Sequence, residues 1–337
     1  MKFNFDAEGN RLICMVDSVG NQESGMSGRI RKTLGHARAA VVLALLLAVA
    51  RYQLEFGHLL AMAYLFWDYI LVAGIVGLLG LALLFRRIRV TALLAAIVAC
   101  AEFVSPTIVN WHRNAGPASG PVLKVISFNW LMGDRDRSEI YAWLKDENPD
   151  ILAVQEFIQD EKGVGTTLFG MFPYHTKTAS DIVILSRYPI IKQSGKTLDK
   201  NSMVRAEVNV QDRRLIVWGI HPQTLKEMQE LNARNSYLSD VADYVALETE
   251  PVLMLGDFNA SRWDPRFRAI VSAGELHEEP ALLAPPTRMA VRKGIPFFGA
   301  PIDHILTNGS NILADCRTGP SLGSDHKPLS CNLQLSR

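Results

Sequence analysis

The chain has 337 residues, of which 35 are Lys or Arg and 34 are Asp or Glu, so its formal net charge is +1. This length fits two domains, or one domain with an appended region. The charges are unevenly distributed: residues 1–112 hold 10 basic and 7 acidic residues, whereas the remainder holds 25 and 27, a net charge of −2. A general nucleic-acid-binding protein is therefore disfavoured, because such proteins carry a basic surface; a nuclease stays compatible with this charge.

Three apolar runs in the first third of the chain predict membrane-spanning helices. Residues 59–85 contain one charged side chain, Asp68, and exceed the ~20 residues that cross a bilayer. Residues 90–111 predict a further span. Residues 34–52 form a span only if the flanking arginines extend toward the headgroups, and a buried soluble helix is the alternative for this run. The sequence thus predicts a polar cytoplasmic tail over residues 1–33, a transmembrane region over 34–112 and a linker over 113–121.

The basic residues predict the orientation of these spans. Basic side chains at positions 29, 31, 32 and 38 precede the first run, and the sequence RRIR at 86–89 separates the second from the third. Because positively charged loops stay in the cytoplasm, three spans place everything after residue 111 on the outer side. We therefore expect a multi-pass protein of the plasma or inner membrane with a periplasmic or extracellular C-terminal domain. A disulfide between Cys316 and Cys331 is permitted there, and two buried thiols are the alternative.

After the linker, the sequence changes to alternating strand and helix patterns. Short apolar runs begin near residues 122, 151, 181, 204, 215, 252, 304, 312 and 329, and helical patterns cover residues 138–147 and about 225–246. This order predicts one α/β domain with a mixed, strand-rich core over residues 122–337.

Polar side chains follow or open the predicted strands of this domain. Any one of them has an ordinary explanation as a turn or capping residue. The set is harder to explain in that way, because six strand-end motifs contribute eight such groups. They are Asn129, Glu156, His221, Asp257, Asn259, Asp303, Asp325 and His326.

Together these groups suit phosphate-ester hydrolysis with a divalent cation. Glu156 and Asp325 offer hard carboxylate oxygens and Asn129 a neutral one, as Mg²⁺ prefers, with Mn²⁺ able to substitute. Asp257 is suited to orienting a water, and Asn259 to contacting a phosphoryl oxygen. His221 and His326 are suited to stabilising the phosphoryl group and moving protons. A carboxylate such as Asp303 beside a histidine would raise its pKa and fix its tautomer. Zinc is disfavoured because the sequence lacks CxxC or HxxxH spacing.

The ordered motifs SFNW, QEF, GIHP, GDFNA, PIDHI and GSDHKP resemble the endonuclease/exonuclease/phosphatase superfamily, the DNase-I-like fold. The resemblance implies a four-layer α/β sandwich of two packed mixed sheets flanked by helices, with the active site at one end. It implies Asn129, Glu156 and Asp325 around Mg²⁺, and Asp257 and Asn259 at the attacking water and phosphate. It further implies that His221 contacts phosphate and that Asp303 pairs with His326. Every motif position is present in this sequence.

The expected function is a membrane-anchored Mg²⁺-dependent phosphoester hydrolase of the phosphodiesterase or endonuclease type, whose partners are the lipid bilayer and a nucleic-acid or phospholipid substrate. A sphingomyelinase-like lipid phosphodiesterase, an inositol-phosphate phosphatase and a non-catalytic binding module on the same fold are the alternatives. No protein partner is predictable. The aromatic residues Trp130, Trp263, Phe297 and Phe298 suit an acyl chain, a base or simple packing. For Arg187 in LSRYP we favour a structural role over phosphate contact.

Overall fold

The computed structural model describes residues 57–114, 119–131, 137–157, 164–177, 181–198, 201–224, 228–289 and 299–336, with isolated residues between 35 and 44. The predicted tail and nearly all of the first apolar run lie outside these residues. The chain divides into two compact units, one comprising Met1–Arg51 with Ala73–Cys100 and the other Tyr52–Val72 with Ala101–Arg337. Two stretches of the apolar region thus belong to the same unit as the α/β fold, and the predicted domain boundaries stay a prediction.

The apolar region forms three described helices, α1 (Gly57–Leu65), α2 (Trp67–Leu84) and α3 (Arg89–Arg113). The run 59–85, predicted as a single span, is interrupted by a turn at Phe66, whose carbonyl accepts from the amides of Tyr69 and Ile70. By length and composition, α2 and α3 are long and apolar enough to cross a membrane. Helix α1 packs through Ala61 and Leu65 against Leu231 of the second unit.

The second unit contains thirteen described strands and four described helices besides the apolar ones. The strands are β1 (Val122–Asn129), β2 (Ile151–Gln155), β3 (Tyr174–His175), β4 (Ile182–Ser186), β5 (Ile190–Leu198), β6 (Asn201–Val210), β7 (Arg213–His221), β8 (Val252–Asp257), β9 (Arg288–Met289), β10 (Gly299–Ala300), β11 (Asp303–Thr307), β12 (Ile312–Thr318) and β13 (Leu329–Gln334). The helices are α4 (Ser138–Glu147), α5 (Val164–Met171), α6 (Met228–Val245) and α7 (Pro265–Ala273).

The strands form two mixed sheets, which confirms the predicted fold class. The first has the order β12-β13-β1-β2-β4-β3 and the second the order β11-β8-β7-β6-β5, and β9 pairs with β10 separately. Strand β1 runs parallel to β2 and β7 runs parallel to β8, whereas the other pairs are antiparallel.

Alternation of side chains along the strands explains the layers. Val125, Ile151, Val217 and Leu255 point into one buried cluster shared by both sheets. Their sequence neighbours point the other way, into a cluster with α4 and α5 on the first sheet and one with α6 and α7 on the second. Central strands buried on both faces read as continuous apolar runs, and this is why the sequence pattern identified them.

The elements that sequence patterns missed have identifiable reasons. Strand β5 reads IIKQSGKTL and lies at the edge of its sheet, so polar side chains are tolerated there. Helix α7 is short, but its start carries a signal: Asp264 caps it by accepting from the Arg266 amide, and Pro265 occupies the first turn. Strands β12 and β13 are joined by a Cys316–Cys331 disulfide, which resolves the alternative left open by the sequence.

Candidate active site

The ends of strands from both sheets bring the candidate residues together. Because β1 and β2 are parallel, Asn129 and Glu156 lie at the same end of the first sheet, where both strands finish. In the second sheet His221 and Asp257 end the parallel strands β7 and β8, and Asp303, which opens the antiparallel β11, lies directly opposite Asp257. Strand topology therefore gathers side chains that are up to 174 positions apart in the chain.

Asp257 is the centre of this site and is almost fully buried. Asn129 Nδ2 lies 3.1 Å from both Asp257 Oδ2 and Glu156 Oε1, so one amide group bridges the two carboxylates. The other Asp257 oxygen accepts from the Asn259 amide at 2.8 Å. The preceding residue, Gly256, must be glycine because its backbone lies close to that of Ile220. A Cβ there would lie 2.0 Å from the Ile220 carbonyl oxygen. Asp257 is thus held in one orientation.

His326 and Asp303 form the predicted pair. His326 Nδ1 lies 2.8 Å from Asp303 Oδ2, which leaves Nε2 facing Asp257 Oδ2 at 3.6 Å. Burial alone would lower the pKa of His326, but the charges of Asp303 and Asp257 raise it to about 9. Ser324 anchors this loop, since its hydroxyl donates to the Asn129 carbonyl and accepts from the His326 amide. His326 is therefore a cation near neutral pH.

His221 approaches Asp257 with a carboxylate partner that sequence reasoning missed. Its Nδ1 lies 2.6 Å from Asp181 Oδ2, and its Nε2 lies 3.9 Å from Asp257 Oδ2. Burial opposes protonation, yet the hydrogen bond to Asp181 and the charge of Asp257 raise the pKa of His221 above its ordinary value. Asp181 precedes β4 and could be read only as a strand boundary in the sequence. Asp257 is thus flanked by two histidines, each oriented by an aspartate.

Asp181→Asn is expected to lower kcat for phosphoester hydrolysis by about tenfold, because the weaker acceptor no longer fixes the tautomer of His221. Steady-state kinetics would measure this loss. Asp150→Asn is a suitable control, because Asp150 accepts a hydrogen bond from the Lys124 amide at the opposite end of β1. Equal rates in Asp181→Asn and wild type would contradict the orienting role.

Asn259 is held by its backbone and side chain. Its φ of 47° lies in the left-handed region, which Asn tolerates better than most residues. Its carbonyl accepts from Arg234 Nε at 3.0 Å, and its Nδ2 donates to the Pro222 carbonyl at 3.0 Å. Arg234 is fully buried and also pairs with Asp264. The predicted contact of Asn259 with phosphate stays a prediction, and Arg234 is a support that the sequence did not reveal.

The donor set at this site fits a divalent cation. Asp303 Oδ1 and Asp325 Oδ1 are buried and accept no hydrogen bond, a costly arrangement that a cation would relieve. Asp257, Asp303 and His326 also form a group whose ligand atoms lie within 4.8 Å of one another. Asp325 Oδ2 lies 3.6 Å from Arg288 Nε. In this structure Asn129 Oδ1 accepts from the Leu131 amide, and its Nδ2 faces the carboxylates. The predicted ligand set Asn129, Glu156 and Asp325 stays a prediction.

Other candidates have structural roles. Trp130 and Trp263 are almost fully buried, so they pack inside the fold and do not line a substrate surface. Phe297 and Phe298 lie outside the described residues. Arg187 donates to the Pro149 carbonyl at 2.8 Å and to the Asn148 side chain, which confirms its structural role.

Two mixed sheets between helices, with an aspartate flanked by two histidine–aspartate pairs at one end, define a hydrolase of phosphoester bonds built on the DNase-I-like fold. The sequence model of the Endonuclease/Exonuclease/phosphatase family matches residues 126–326, more than half of the chain. The protein belongs to this family.

Solved structures of other proteins share the fold. An endonuclease/exonuclease/phosphatase from Beutenbergia cavernae is 18% identical with a TM-score of 0.52, over 64% of this chain and 72% of that one. A humanized TDP2 of D. rerio is 14% identical with a TM-score of 0.51, over 64% and 99%. A family member from Bacteroides vulgatus is 14% identical with a TM-score of 0.50, over 64% and 100%. No curated protein matches the chain. At these identities the likeness concerns the fold.

Proposed function

We propose that this protein is a membrane-anchored, Mg²⁺-dependent phosphodiesterase whose catalytic domain faces the outer side of the membrane. The proposal rests on the position of Asp257 between two histidines. His326 Nε2 lies 3.6 Å from Asp257 Oδ2, and His221 Nε2 lies 3.9 Å from the same oxygen. The ring nitrogens that face Asp257 are N–H donors in the imidazolium form. A phosphoryl group beside Asp257 would therefore meet one carboxylate, the cationic His326, and a second donor whenever His221 is protonated.

The residues take distinct parts in hydrolysis. Asp257 orients the attacking water in line with the scissile bond and accepts its proton. His221 and His326 donate to the phosphoryl oxygens, where negative charge develops, and one of them gives its proton to the departing oxygen. Asp181 and Asp303 keep Nδ1 protonated, so Nε2 remains directed at the reacting group. Asn259 is placed beside Asp257 to contact a phosphoryl oxygen.

Glu156 and Asp325, with Asn129 rotated to present its amide oxygen, would hold the metal. Bound Mg²⁺ supplies Lewis-acid stabilisation of charge on the phosphoryl oxygens. Glu156 has a φ of 56°, so the backbone leaves β2 in the left-handed region and directs the side chain toward Asn129. The orphaned Asp325 oxygen supports its assignment as a ligand.

Glu156→Gln is expected to raise the Mg²⁺ concentration needed for half-maximal activity by about 10- to 100-fold, because a neutral amide replaces a charged ligand. Activity titrated with Mg²⁺, and Mg²⁺ binding followed by calorimetry without substrate, would measure the change. The control is Glu207→Gln, which removes from β6 a carboxylate that pairs with Arg214 of β7. Identical metal titrations for Glu156→Gln and wild type would remove Glu156 from the ligand set.

Membrane anchoring and sidedness rest on separate observations. Two spans formed by α2 and α3 would put the turn that joins them, which contains Arg86 and Arg87, on the side of the membrane opposite to the residues that follow α3. Because basic turns face the cytoplasm, this topology supports a catalytic domain on the outer side. The Cys316–Cys331 disulfide fits an oxidising compartment. A reporter fused after Arg337 that works only in the cytoplasm would overturn this placement.

A phospholipid head group is the second candidate substrate class, and one observation favours it over a nucleic acid. Thr107 in the apolar helix α3 donates to the Ala281 carbonyl at 2.9 Å, and the adjacent Leu282 and Leu283 are 52% and 54% exposed. An apolar pair beside a candidate membrane helix suits a lipid surface. The net charge of −2 over residues 113–337 also disfavours nucleic acid.

The proposal is tested with the full-length protein purified in detergent, because the described segments 57–72 and 101–114 belong to the same compact unit as the catalytic fold. Hydrolysis of bis-p-nitrophenyl phosphate, plasmid DNA and sphingomyelin vesicles is measured in parallel, with Mg²⁺ and with EDTA. Metal-dependent turnover that is lost in Asp257→Asn would support the phosphodiesterase, and the natural substrate that turns over would select its class. A folded protein that is inactive on all three would favour the binding-module alternative.

A further inference from the structure

We propose that Asp68, the charged residue of the second apolar run, is a positioning residue for the catalytic strand end, so that the membrane region takes part in forming the active site. This inference rests on the proposed hydrolase function. The carboxylate lies in the first turn of α2, and it is 5% exposed. Its partners, Arg262 and Trp263, follow the GDFN motif within the same compact unit.

The contacts of Asp68 form a buried polar cluster. Asp68 Oδ1 accepts from Arg262 Nη2 at 2.9 Å and from Trp263 Nε1 at 2.8 Å. One residue earlier, the Ser261 hydroxyl donates to the Tyr64 carbonyl of α1 at 2.5 Å. Three consecutive residues after Ala260 are therefore bonded to the end of α1 and the start of α2. A cluster of this kind fixes geometry, because every alternative leaves a buried charge or donor unpaired.

Arg262 extends this connection to the neighbouring loop. It is 5% exposed and donates to the carbonyls of Ala281 and Leu282 at 2.8 and 2.7 Å. Its charge is countered by Asp68, since no other carboxylate among the described residues forms an ion pair with it. Removing the Asp68 charge would leave a buried guanidinium with carbonyl partners alone, which is strongly unfavourable.

The cluster is separated from the catalytic groups by a short, tightly held segment. Asn259 lies two residues before Ser261, and its amide bonds to Asp257. Arg234 of α6 holds the same segment through the Asn259 carbonyl and Asp264. The segment 259–264 is thus fixed between α6 and the start of α2. Release of the contacts to Asp68 would let Asn259, and with it Asp257, shift, and a misplacement of about 1 Å is enough to slow a positioned reaction about 100-fold.

This arrangement also accounts for an aspartate in an apolar run. A charged side chain is costly inside a bilayer, and such residues mark functional positions. In this protein the Asp68 carboxylate is paired with Arg262, which follows the GDFN motif. The spacing of Asp68 from Arg262 is 194 positions, so the sequence gives no sign of the pairing.

The test uses full-length protein in detergent and compares Asp68→Asn with wild type on bis-p-nitrophenyl phosphate. Asp68→Asn keeps an oxygen for Trp263 but loses the charge, and we expect kcat to fall about 10- to 100-fold with KM unchanged within twofold. Asp68→Glu, which restores the charge, should recover at least part of the loss. Glu147→Gln, which removes a carboxylate paired with Lys124 on the far side of the fold, should leave kcat unchanged.

The double variant Asp68→Asn/Arg262→Met separates positioning from general destabilisation. If Asp68 acts through Arg262, the double variant has the kcat of Arg262→Met alone. Rates are measured well below the unfolding temperature of each variant. Multiplicative losses, or a kcat for Asp68→Asn equal to that of Glu147→Gln, would overturn the proposal. Should Asp68→Asn not fold, Arg262→Lys replaces it, because Lys keeps the charge and loses the paired geometry.

Hydrogen exchange gives a readout that does not depend on activity. Peptides covering residues 257–264 should exchange faster in Asp68→Asn, whereas peptides covering β13 should not change. If wild-type protein hydrolyses none of the substrates, the proposed function fails while this measurement still decides whether Asp68 holds the segment. Unchanged exchange at 257–264 would show that the segment is ordered without Asp68, and would overturn the inference.

Discussion

Asp257→Asn is expected to lower kcat for phosphodiester hydrolysis by about 10²- to 10⁴-fold, because an amide cannot accept the proton of the attacking water. Asn replaces Asp257 with less disturbance of the structure than Ala does. The amide oxygen can still accept from the Asn259 backbone N–H, which Asp257 now satisfies at 2.8 Å. Alanine would leave that buried donor unpaired at a cost of about 1–3 kcal/mol and would mix a stability loss into the kinetic result. Initial rates at saturating substrate and Mg²⁺ would measure the effect.

The control for this substitution is Asp315→Asn. Asp315 accepts from the Asn332 side chain at an exposed position on β12, so its replacement removes one carboxylate without touching the site. The control should keep wild-type kcat, and both variants should unfold at temperatures close to wild type. An Asp257→Asn protein with more than a tenth of the wild-type rate would remove Asp257 from its assigned role.

His326→Gln is expected to have the second largest effect, with kcat again falling about 10²- to 10⁴-fold. His326 is cationic near neutral pH, and its Nε2 faces the point where Asp257 would hold a water. Gln keeps a similar volume and a donor but carries neither charge nor transferable proton. Asp303→Asn should show a smaller loss in the same direction, because it weakens the bond that fixes the tautomer.

His277→Gln is the matched control for His326. His277 is also a buried histidine, but its Nε2 bonds to the Asn311 carbonyl, and burial lowers its pKa. The substitution tests the cost of losing a buried imidazole away from the site. Near-wild-type kcat in His277→Gln beside a large loss in His326→Gln would tie the effect to the site. Similar small losses in both would show that His326 serves packing.

The central strands and most candidate site residues could be predicted from sequence for one physical reason. Strands buried on both faces are apolar throughout, and the polar groups at their ends stand out against that background. Asn129, His221 and Asp257 are of this kind, each ending a strand as expected. Asp303 opens β11, and its pairing with His326 was predicted from the resemblance and then found at 2.8 Å.

Supporting residues could not be found in this way. Asp181 precedes a strand like many turn residues, yet it orients His221. Arg234 of α6 is a residue type that usually faces solvent, yet it is fully buried and contacts Asn259 and Asp264. Both depend on a neighbour more than 20 positions away. Local propensity carries no information about such a neighbour.

The sequence by itself determined the chemistry of this protein, because residue type sets which groups can bind a cation, hold a proton or orient a water. It determined the fold class as well, since the period of apolar residues distinguishes buried strands from amphipathic helices. Only the tertiary structure decided that Asp181 pairs with His221 and that Asp68 pairs with Arg262. Pairing energies depend on distance and burial, and the folded chain alone fixes these two quantities.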